Sequence, residues 1–352
     1  MLMFFSLLLG LLTIFCTLLP LLKYEVWWIR VFDFPRIQIF IFSLLAIALT
    51  IPFLSHQSHI ILLVILVGCI IYQIVRIFPY TPLSKVQVLN STIPNDKNTQ
   101  IGIMVANVLM TNRNFEQCLK LIDDINPDLF LALETDAWWE KKLSVLKQEY
   151  PYTVLVPLEN TYGMLLYSKF KLYETSVQYI IQEDVPSIHT LVALPSGDTF
   201  AFHGVHPKPP APQESKTSKP RDAELILVGK AAKDANIPVI IAGDLNDVAW
   251  SHTTHLFQRI ASLLDPRIGR GMYSTFHADY LFLRWPLDHV FHSRDFRLIS
   301  MARLPHIGSD HFPIYVKLNF EPEKKHEQEK PQATAEDLED AKEKLDLSGE
   351  EL

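Results

Sequence analysis

The segment that decides the fold reads PVIIAGDLND and occupies residues 238–247. Its first half is apolar and β-branched, which is typical of a buried strand, and Gly243 marks the end of that strand. Asp244 and Asn246 follow at once, and side chains at the carboxyl end of a strand often line ligand sites. The segment therefore predicts a strand that carries polar residues into a site. A glycine turn whose Asx residues bond only to local backbone is the alternative.

Six further polar residues also lie where an apolar run begins or ends: Asn107, Glu134, His206, Asp288, Asp310 and His311. Each has a local alternative. Glu134 would cap the helix that begins near Asp136, and the other residues would belong to turns or extended loops. These local alternatives do not explain why acids, amides and imidazoles gather at strand ends in this order.

Short apolar runs alternate with helical patterns from Ile101 onward, among them the helical patterns FEQCLKLIDDI and WWEKKLSVLKQEY. The strands are many and the intervening helices are few. This ratio predicts an α/β (α+β) fold of two packed sheets flanked by helices, in preference to one doubly wound parallel sheet.

The order of these pieces resembles the endonuclease/exonuclease/phosphatase superfamily, whose members have the DNase I-like four-layer fold. The matching pieces are VANVL, LALE, YGMLLYSK, GVHPKPP, GDLND, PLDHVF and GSDHFPI, and they lie within residues 100–320. GDLN followed by a distal SDH is the specific pair. The similarity is greatest to bacterial members with apolar N-terminal spans, which implies a multi-pass protein of a bacterial inner membrane.

The resemblance implies a hydrolase that cleaves phosphoester bonds with the help of Mg²⁺ or Mn²⁺. Its implied metal ligands are Glu134, Asn107 and Asp310, and their hard oxygen atoms suit these cations better than zinc. Its implied catalytic residues are Asp244, Asn246, His206, Asp288 and His311. A non-catalytic, membrane-tethered binding or scaffold protein on the same fold is the second hypothesis.

The same resemblance assigns separate tasks to the catalytic residues. Asp244 orients or deprotonates the attacking water, and Asn246 donates to the phosphoryl oxygens. His311, held by Asp288, binds the phosphate together with His206 and stabilises charge as the P–O bond breaks.

Four residues outside this set have less specific interpretations. Arg221 matches a basic residue common after the histidine loop, but an arginine on a solvated helix face is an equal alternative. Thr275 and Phe276 are expected to pack under the site. Leu109 stands where some nucleases have a second acidic residue, which puts an extra metal contact there in doubt.

Residues 1–80 are predicted to form a membrane domain with three transmembrane helices at 2–22, 37–54 and 60–78. Each run is long enough to cross a hydrocarbon core of about 30 Å. A cleaved signal peptide is the alternative for the first run, and a hairpin that does not cross is the alternative for the second, which contains Pro52. Basic residues between the first two runs favour a cytoplasmic catalytic domain, with the opposite orientation left open.

The remaining regions are predicted from composition. Residues 81–99 are expected to be a linker, and residues 321–352, with five basic and twelve acidic side chains, are expected to form a mostly disordered tail. Residues 85–320 are nearly neutral, which gives no electrostatic argument for duplex DNA. The expected partners are the bilayer and a phosphoester substrate, either a lipid head group, a small phosphoester or nucleic acid; no protein partner follows from the sequence.

Overall fold

The computed structural model describes residues 1–22 and 24–349. Its α-helices are α1 (Leu2–Leu18), α2 (Trp27–Arg30), α3 (Arg36–Thr50), α4 (Gln57–Ile77), α5 (Phe115–Ile125), α6 (Ala137–Leu143), α7 (Lys219–Asp234), α8 (His252–Ala261) and α9 (Ala335–Ser348). Its strands are β1 (Gln100–Asn107), β2 (Leu129–Leu133), β3 (Tyr152–Val156), β4 (Met164–Ser168), β5 (Leu172–Gln178), β6 (Ser187–Ala193), β7 (Thr199–Val205), β8 (Val239–Asp244), β9 (Asp288–His292), β10 (Phe296–Arg303) and β11 (Ile314–Phe320). Short 3₁₀ helices follow α1 to α4, α6 and β11.

The strands form two mixed sheets. The first has the order β10-β11-β1-β2-β4-β3 and the second has the order β5-β6-β7-β8-β9. Strands β1 and β2 run parallel, as do β7 and β8, and the other neighbours are antiparallel. The prediction of two packed sheets flanked by helices is confirmed.

The main core lies between the two sheets. Side chains such as Ile103 and Leu131 from the first sheet meet Phe202 and Ile240 from the second, and all four are fully buried. Burying an apolar side chain of this size contributes about 1.5–3 kcal/mol, so this layer holds the sandwich together. Helices α5 and α6 cover the outer face of the first sheet, and α7 and α8 cover that of the second, which gives four layers.

Strand direction brings the polar strand ends to one edge of the sandwich. The parallel strands β1 and β2 end together, as do β7 and β8, and β9 starts with Asp288 opposite Asp244 of β8. Gly243 makes the close approach of β8 to β7 possible, because it has a φ of +151° and a Cβ there would lie 1.8 Å from the carbonyl oxygen of Val205.

Three N-terminal helical segments are long and apolar enough to cross a membrane. Their bounds are Leu2–Leu21, Arg36–Phe53 and Gln57–Tyr80.

 Many of their outward side chains, such as Leu8, Ile41 and Val64, are exposed, as expected of surfaces that lipid covers. The inward side chains Ala46 and Leu66 are buried between the helices. Three helices suited to spanning therefore precede the sandwich.

The segment 81–99, predicted to be a linker, instead packs on the sandwich. Val88 is fully buried in the main core, and the backbone of Leu298 bonds with Leu89 and Ser91 at 3.0 and 2.8 Å. Tyr80, directly before the segment, is buried against Trp250, and its hydroxyl donates to the Ala249 carbonyl at 2.5 Å. Composition suggested a spacer, but these apolar and backbone contacts join the last spanning helix directly to the domain.

The tail also differs from its prediction. Helix α9 packs on α7 and α8 through Ala341 and Leu345, which meet Ile226. Lys344 is buried and donates to Asp222 and Glu25 at 2.9 Å each. The sequence predicted a mostly disordered extension because acidic residues dominate it, but its apolar stripe and one lysine find partners that only the folded domain provides.

Candidate active site

Glu134 and Asn107 form one side of the candidate site. Asn107 ends β1 and Glu134 directly follows the parallel strand β2. The Asn107 amide donates to Glu134 Oε1 at 2.7 Å. Burial raises the pKa of Glu134 to about 7, and the nearby carboxylates of Asp310 and Asp244 add to the rise. Glu134 has a φ of 57°, a left-handed backbone that favours glycine, so its placement is held by the surrounding structure.

The helix cap expected as an alternative role for Glu134 belongs to another residue. Asp136 is the N-cap of α6 and accepts a bond from the Trp139 backbone N–H at 2.8 Å. Arg113 completes this cap with a bond to Asp136 at 2.9 Å. Glu134 is therefore left to face the strand ends.

Asp244 lies at the centre of the cluster. Asn107 Nδ2 is 3.3 Å from Asp244 Oδ2, which joins the two sheets, and the Asn246 backbone N–H donates to Asp244 Oδ1 at 2.9 Å. His206 Nε2 lies 3.9 Å from the same carboxylate. Burial raises the pKa of Asp244, although His311 and His206 oppose the rise. A buried carboxylate with a raised pKa is suited to accepting a proton.

Asp288 and His311 meet as the sequence predicted. His311 Nδ1 is 2.8 Å from Asp288 Oδ2, and its Nε2 is 3.5 Å from Asp244 Oδ2. Burial alone would lower the pKa of His311, but Asp288 and Asp244 outweigh it and raise the pKa to about 10. The imidazole therefore carries a proton on each of its two nitrogens at neutral pH, so His311 is a cation held in place in the site.

Backbone and hydroxyl groups hold this pair in place. Thr275 Oγ1 accepts from the backbone N–H groups of Leu287 and Asp288 at 3.3 and 3.2 Å. The Phe276 ring lies 4.9 Å from the His311 ring. The expectation that Thr275 and Phe276 pack beneath the site agrees with these contacts.

Two residues around the site have roles that the sequence left open or missed. Arg221 is buried, not solvated, and bonds to Asp222 at 2.8 Å and to the Asn246 carbonyl at 2.8 Å, so it fixes the loop after β8. Tyr162 packs its ring 5.4 Å from that of His206. It is the first residue of the matching piece YGMLLYSK, and that match is the sequence signal that could have singled it out.

The donor set fits a hard divalent cation on the Glu134 side. Glu134 has two carboxylates close enough to raise its pKa, and a divalent cation would relieve that repulsion. Asn107 presents its amide N–H to Glu134, and its Oδ1 accepts from the Leu109 backbone N–H at 3.1 Å. As placed it orients the carboxylate, and a half-turn of the amide would present its oxygen to a cation.

A second group of potential ligands lies deeper. Among residues 1–22 and 24–349, one trio of acidic and imidazole side chains brings its ligand atoms within 4.8 Å of one another: Asp244, Asp288 and His311. The trio could hold a metal ion. However, a protonated His311 already offsets one of the two carboxylate charges, so a metal here would have to compete with that proton. The Glu134 side carries no such internal cation and is the better candidate.

Comparison with known proteins gives the family. The model of the Endonuclease/Exonuclease/phosphatase family matches residues 104–311, and this range includes every candidate site residue from Asn107 to His311.

 The match covers more than half of the chain. No curated protein sequence matches this chain.

Solved structures share the fold at low sequence identity. Humanized D. rerio TDP2 is 18% identical, with a TM-score of 0.52 over 63% of this chain and 99% of that one. The catalytic domain of human Nocturnin, solved with a bound sulfate anion, is 17% identical, with a TM-score of 0.52 over 69% and 99%. A family protein from Bacteroides thetaiotaomicron is 18% identical, with a TM-score of 0.51 over 64% and 96%.

These structures support the fold, and the family model covers the strand ends that build the site. Asn107, Asp244 and Asp288 lie at strand ends of the two sheets, and Glu134 and His311 lie in loops beside them. The side chains of all five gather at one edge of the sandwich. The chain belongs to the endonuclease/exonuclease/phosphatase family.

Proposed function

We propose that the chain is a membrane-anchored hydrolase of phosphoester bonds that depends on Mg²⁺, with Mn²⁺ as a substitute. The observation that carries the proposal is the position of Asp244. Its carboxylate is within 3.5 Å of the His311 cation and 3.3 Å of the amide that also holds Glu134. A proton acceptor, a fixed cation and a hard-oxygen ligand are thereby combined in one buried cluster.

The residues suggest a direct attack of water on phosphorus. Asp244 orients a water molecule and takes one of its protons, while the water oxygen forms the new bond to phosphorus. The bond from phosphorus to the leaving oxygen breaks, and that oxygen takes up a proton, so the products are a phosphate group and an alcohol. This route forms no covalent bond to the protein.

Positive and hydrogen-bonding groups then stabilise the charge that develops on the phosphoryl oxygens. The protonated His311 supplies a cation, and Asn246 and His206 supply polar contacts beside it. Asp288 keeps His311 oriented through the 2.8 Å bond to Nδ1. A Mg²⁺ ion held by Glu134, with Asp310 and Asn107 beside it, would supply Lewis-acid stabilisation of the same oxygens.

The membrane assignment is part of the same proposal. Three helices suited to spanning precede the domain, and their inner faces pack on one another. We place the protein in a bacterial inner membrane with its catalytic domain in the cytoplasm, because the loop 23–36 is richer in basic residues than the loop 55–59. Cysteine labelling at either loop in intact cells tests this orientation.

The catalytic proposal is tested with soluble chromogenic esters. The full-length protein in detergent is given bis(para-nitrophenyl) phosphate and para-nitrophenyl phosphate, with Mg²⁺, with Mn²⁺ and with a chelator. We expect metal-dependent release of nitrophenol that Asp244→Asn lowers at least about 100-fold. Asp234→Asn, an exposed carboxylate at the far end of α7, is the matched control. Turnover that resists both chelation and Asp244→Asn would refute the proposal.

A further inference from the structure

An apolar cavity of about 470 Å³ adjoins the catalytic side chains. Asn246 and His311 stand at its catalytic end, Phe34 and Pro35 line it from the segment before α3, and Leu283 and Trp285 line it from the loop before β9. The hydrolysis of a soluble phosphoester requires none of these apolar walls. A hollow of this size beside the reacting groups indicates that an apolar part of the substrate lies there.

Aromatic side chains connect the membrane segment with the catalytic cation. The rings of Phe34 and Trp285 are 5.6 Å apart, those of Trp285 and Phe276 are 6.2 Å apart, and those of Phe276 and His311 are 4.9 Å apart. Pro35 is followed at once by α3, the second helix suited to spanning. The cavity therefore begins where that helix begins and ends at His311.

An exposed apolar loop lies beside the mouth of the cavity. Tyr280, Leu281, Phe282 and Leu283 are 58%, 66%, 82% and 46% exposed, and such a run on a loop tip marks a surface that binds something apolar. Gln38, in the first turn of α3, donates to the carbonyl of Phe282. The loop tip therefore lies beside the first turn of a helix suited to spanning.

Cationic side chains flank this loop. Arg284 and Arg303 line a second hollow together with Leu281 and Phe282, and both guanidinium groups lie over the Phe312 ring at 4.9 and 4.4 Å. Arginines next to apolar side chains at the end of a spanning helix are suited to the phosphates of lipid head groups.

We propose that the substrate is a membrane-resident, amphiphilic phosphodiester. Its hydrocarbon chain lies in the apolar cavity, and its phosphate lies against His311 and Asn246. Its leaving group faces Glu134, whose side chain is half-buried. The proposal rests on the proposed hydrolase function and names its substrate class. Loop 279–283 opens the cavity to lipid, so the substrate arrives from the bilayer and not from water.

Single-stranded nucleic acid fits these features less well. Binding of strands uses open aromatic faces along a cationic groove. Here Phe34 and Trp285 pack edge to face at 79°, and the mouth lies beside α3, where a charged strand would have to enter the bilayer surface.

The test compares two substrates that differ only in their hydrocarbon chain. Methyl para-nitrophenyl phosphate is offered in solution and hexadecyl para-nitrophenyl phosphate is offered in phosphatidylcholine vesicles, to the full-length protein reconstituted in the same vesicles with Mg²⁺. We expect the hexadecyl ester to have a kcat/KM at least about 10-fold higher, because the cavity buries part of its chain. Leu283→Glu should remove most of that preference, because it puts a charge in the wall of the cavity.

Two further variants sharpen the result. Phe282→Glu should also lower the rate on the hexadecyl ester, since it puts a charge on the loop tip. Ile237→Glu changes an apolar side chain just before β8 that is 40% exposed, against 46% for Leu283, and it should change neither rate. Melting temperatures close to that of the wild type show that each variant is folded.

The outcomes separate the two proposals. Equal kcat/KM values for the two esters, an unaffected preference in Leu283→Glu, or faster cleavage of a single-stranded oligonucleotide would overturn the substrate assignment and leave the hydrolase intact. Failure of the wild-type protein to cleave either ester would overturn the proposed function itself.

Discussion

Asp288 and His311 lie 23 positions apart in the sequence, yet His311 Nδ1 donates to Asp288 Oδ2 at 2.8 Å at the edge of the sandwich. Asp288 begins β9, and His311 is in the loop before β11, so the pair joins the second sheet to the first. The other nitrogen of His311 faces Asp244 at 3.5 Å. The pair therefore places one cation against the proton acceptor.

The first prediction is that Asp288 and His311 act as a unit. His311→Ala should lower turnover on a chromogenic ester by at least about 100-fold, since it removes the cation, and Asp288→Asn should lower it less. The double variant should lose little more than His311→Ala, because Asp288 acts only through the imidazole. A double-mutant cycle on kcat/KM checks this, and additive losses would separate the two residues.

The second prediction concerns the role of Glu134 in metal binding. Glu134→Gln should abolish turnover and the rise in melting temperature that Mg²⁺ produces, while the metal-free protein melts no lower than the wild type. The reason is that a buried carboxylate beside two others costs stability until a cation binds. Glu159→Gln, an exposed neighbour of α6, is the control. If Mg²⁺ still raises the melting temperature of Glu134→Gln, Glu134 is not a metal ligand.

The third prediction follows from the contact between α4 and the domain. Tyr80→Ala should lower the free energy of unfolding by about 3 kcal/mol, because it leaves a cavity beside Trp250 and an unpaired Ala249 carbonyl. A fragment starting at Lys85 should accordingly melt below one starting at Phe78. Equal melting temperatures for the two fragments would show that the domain is independent of the spanning helix.

The fourth prediction concerns the docking of α9. Lys344→Met should lower the unfolding free energy by about 3 kcal/mol, because it removes the buried cation that Asp222 and Glu25 share and leaves Arg221 as the basic side chain bonded to Asp222. Lys342→Met, on the exposed face of the same helix, should have almost no effect. Urea midpoints and limited proteolysis of the C-terminus measure both. A variant whose C-terminus stays protected would contradict the docking role.

The fifth prediction is a loss of stability on acidification. Burial lowers the pKa of His292 from 6.5 to about 4, so the unfolded chain takes up a proton at higher pH than the folded chain does. The stabilisation is present above pH 6.5 and is lost as the pH falls toward 4, with about 2 kcal/mol gone at pH 5. His292→Gln should reduce the pH dependence of the urea midpoint between pH 7 and 5. An identical slope in the variant would assign the effect to other groups.

Much of the fold could be predicted because local signals and the family pattern agree. The β-branched runs define strands such as β8, and the apolar runs at the N-terminus define helices suited to a membrane. The polar residue after each strand was visible, since a strand fixes where its last side chain lies. Arg221 could not be placed, because nothing in its own helix shows that Asp247, from the loop after β8, meets it in the interior.

The sequence by itself determined the strands, the helices suited to spanning and the polar side chains that stand at the strand ends, since these depend on short-range pattern and residue chemistry. Only the tertiary structure decided that residues 81–99 and α9 are packed parts of the domain, and that an apolar cavity connects Phe34 with His311. Those features depend on contacts between segments that lie far apart in the sequence, and such contacts leave no periodic signal in the chain.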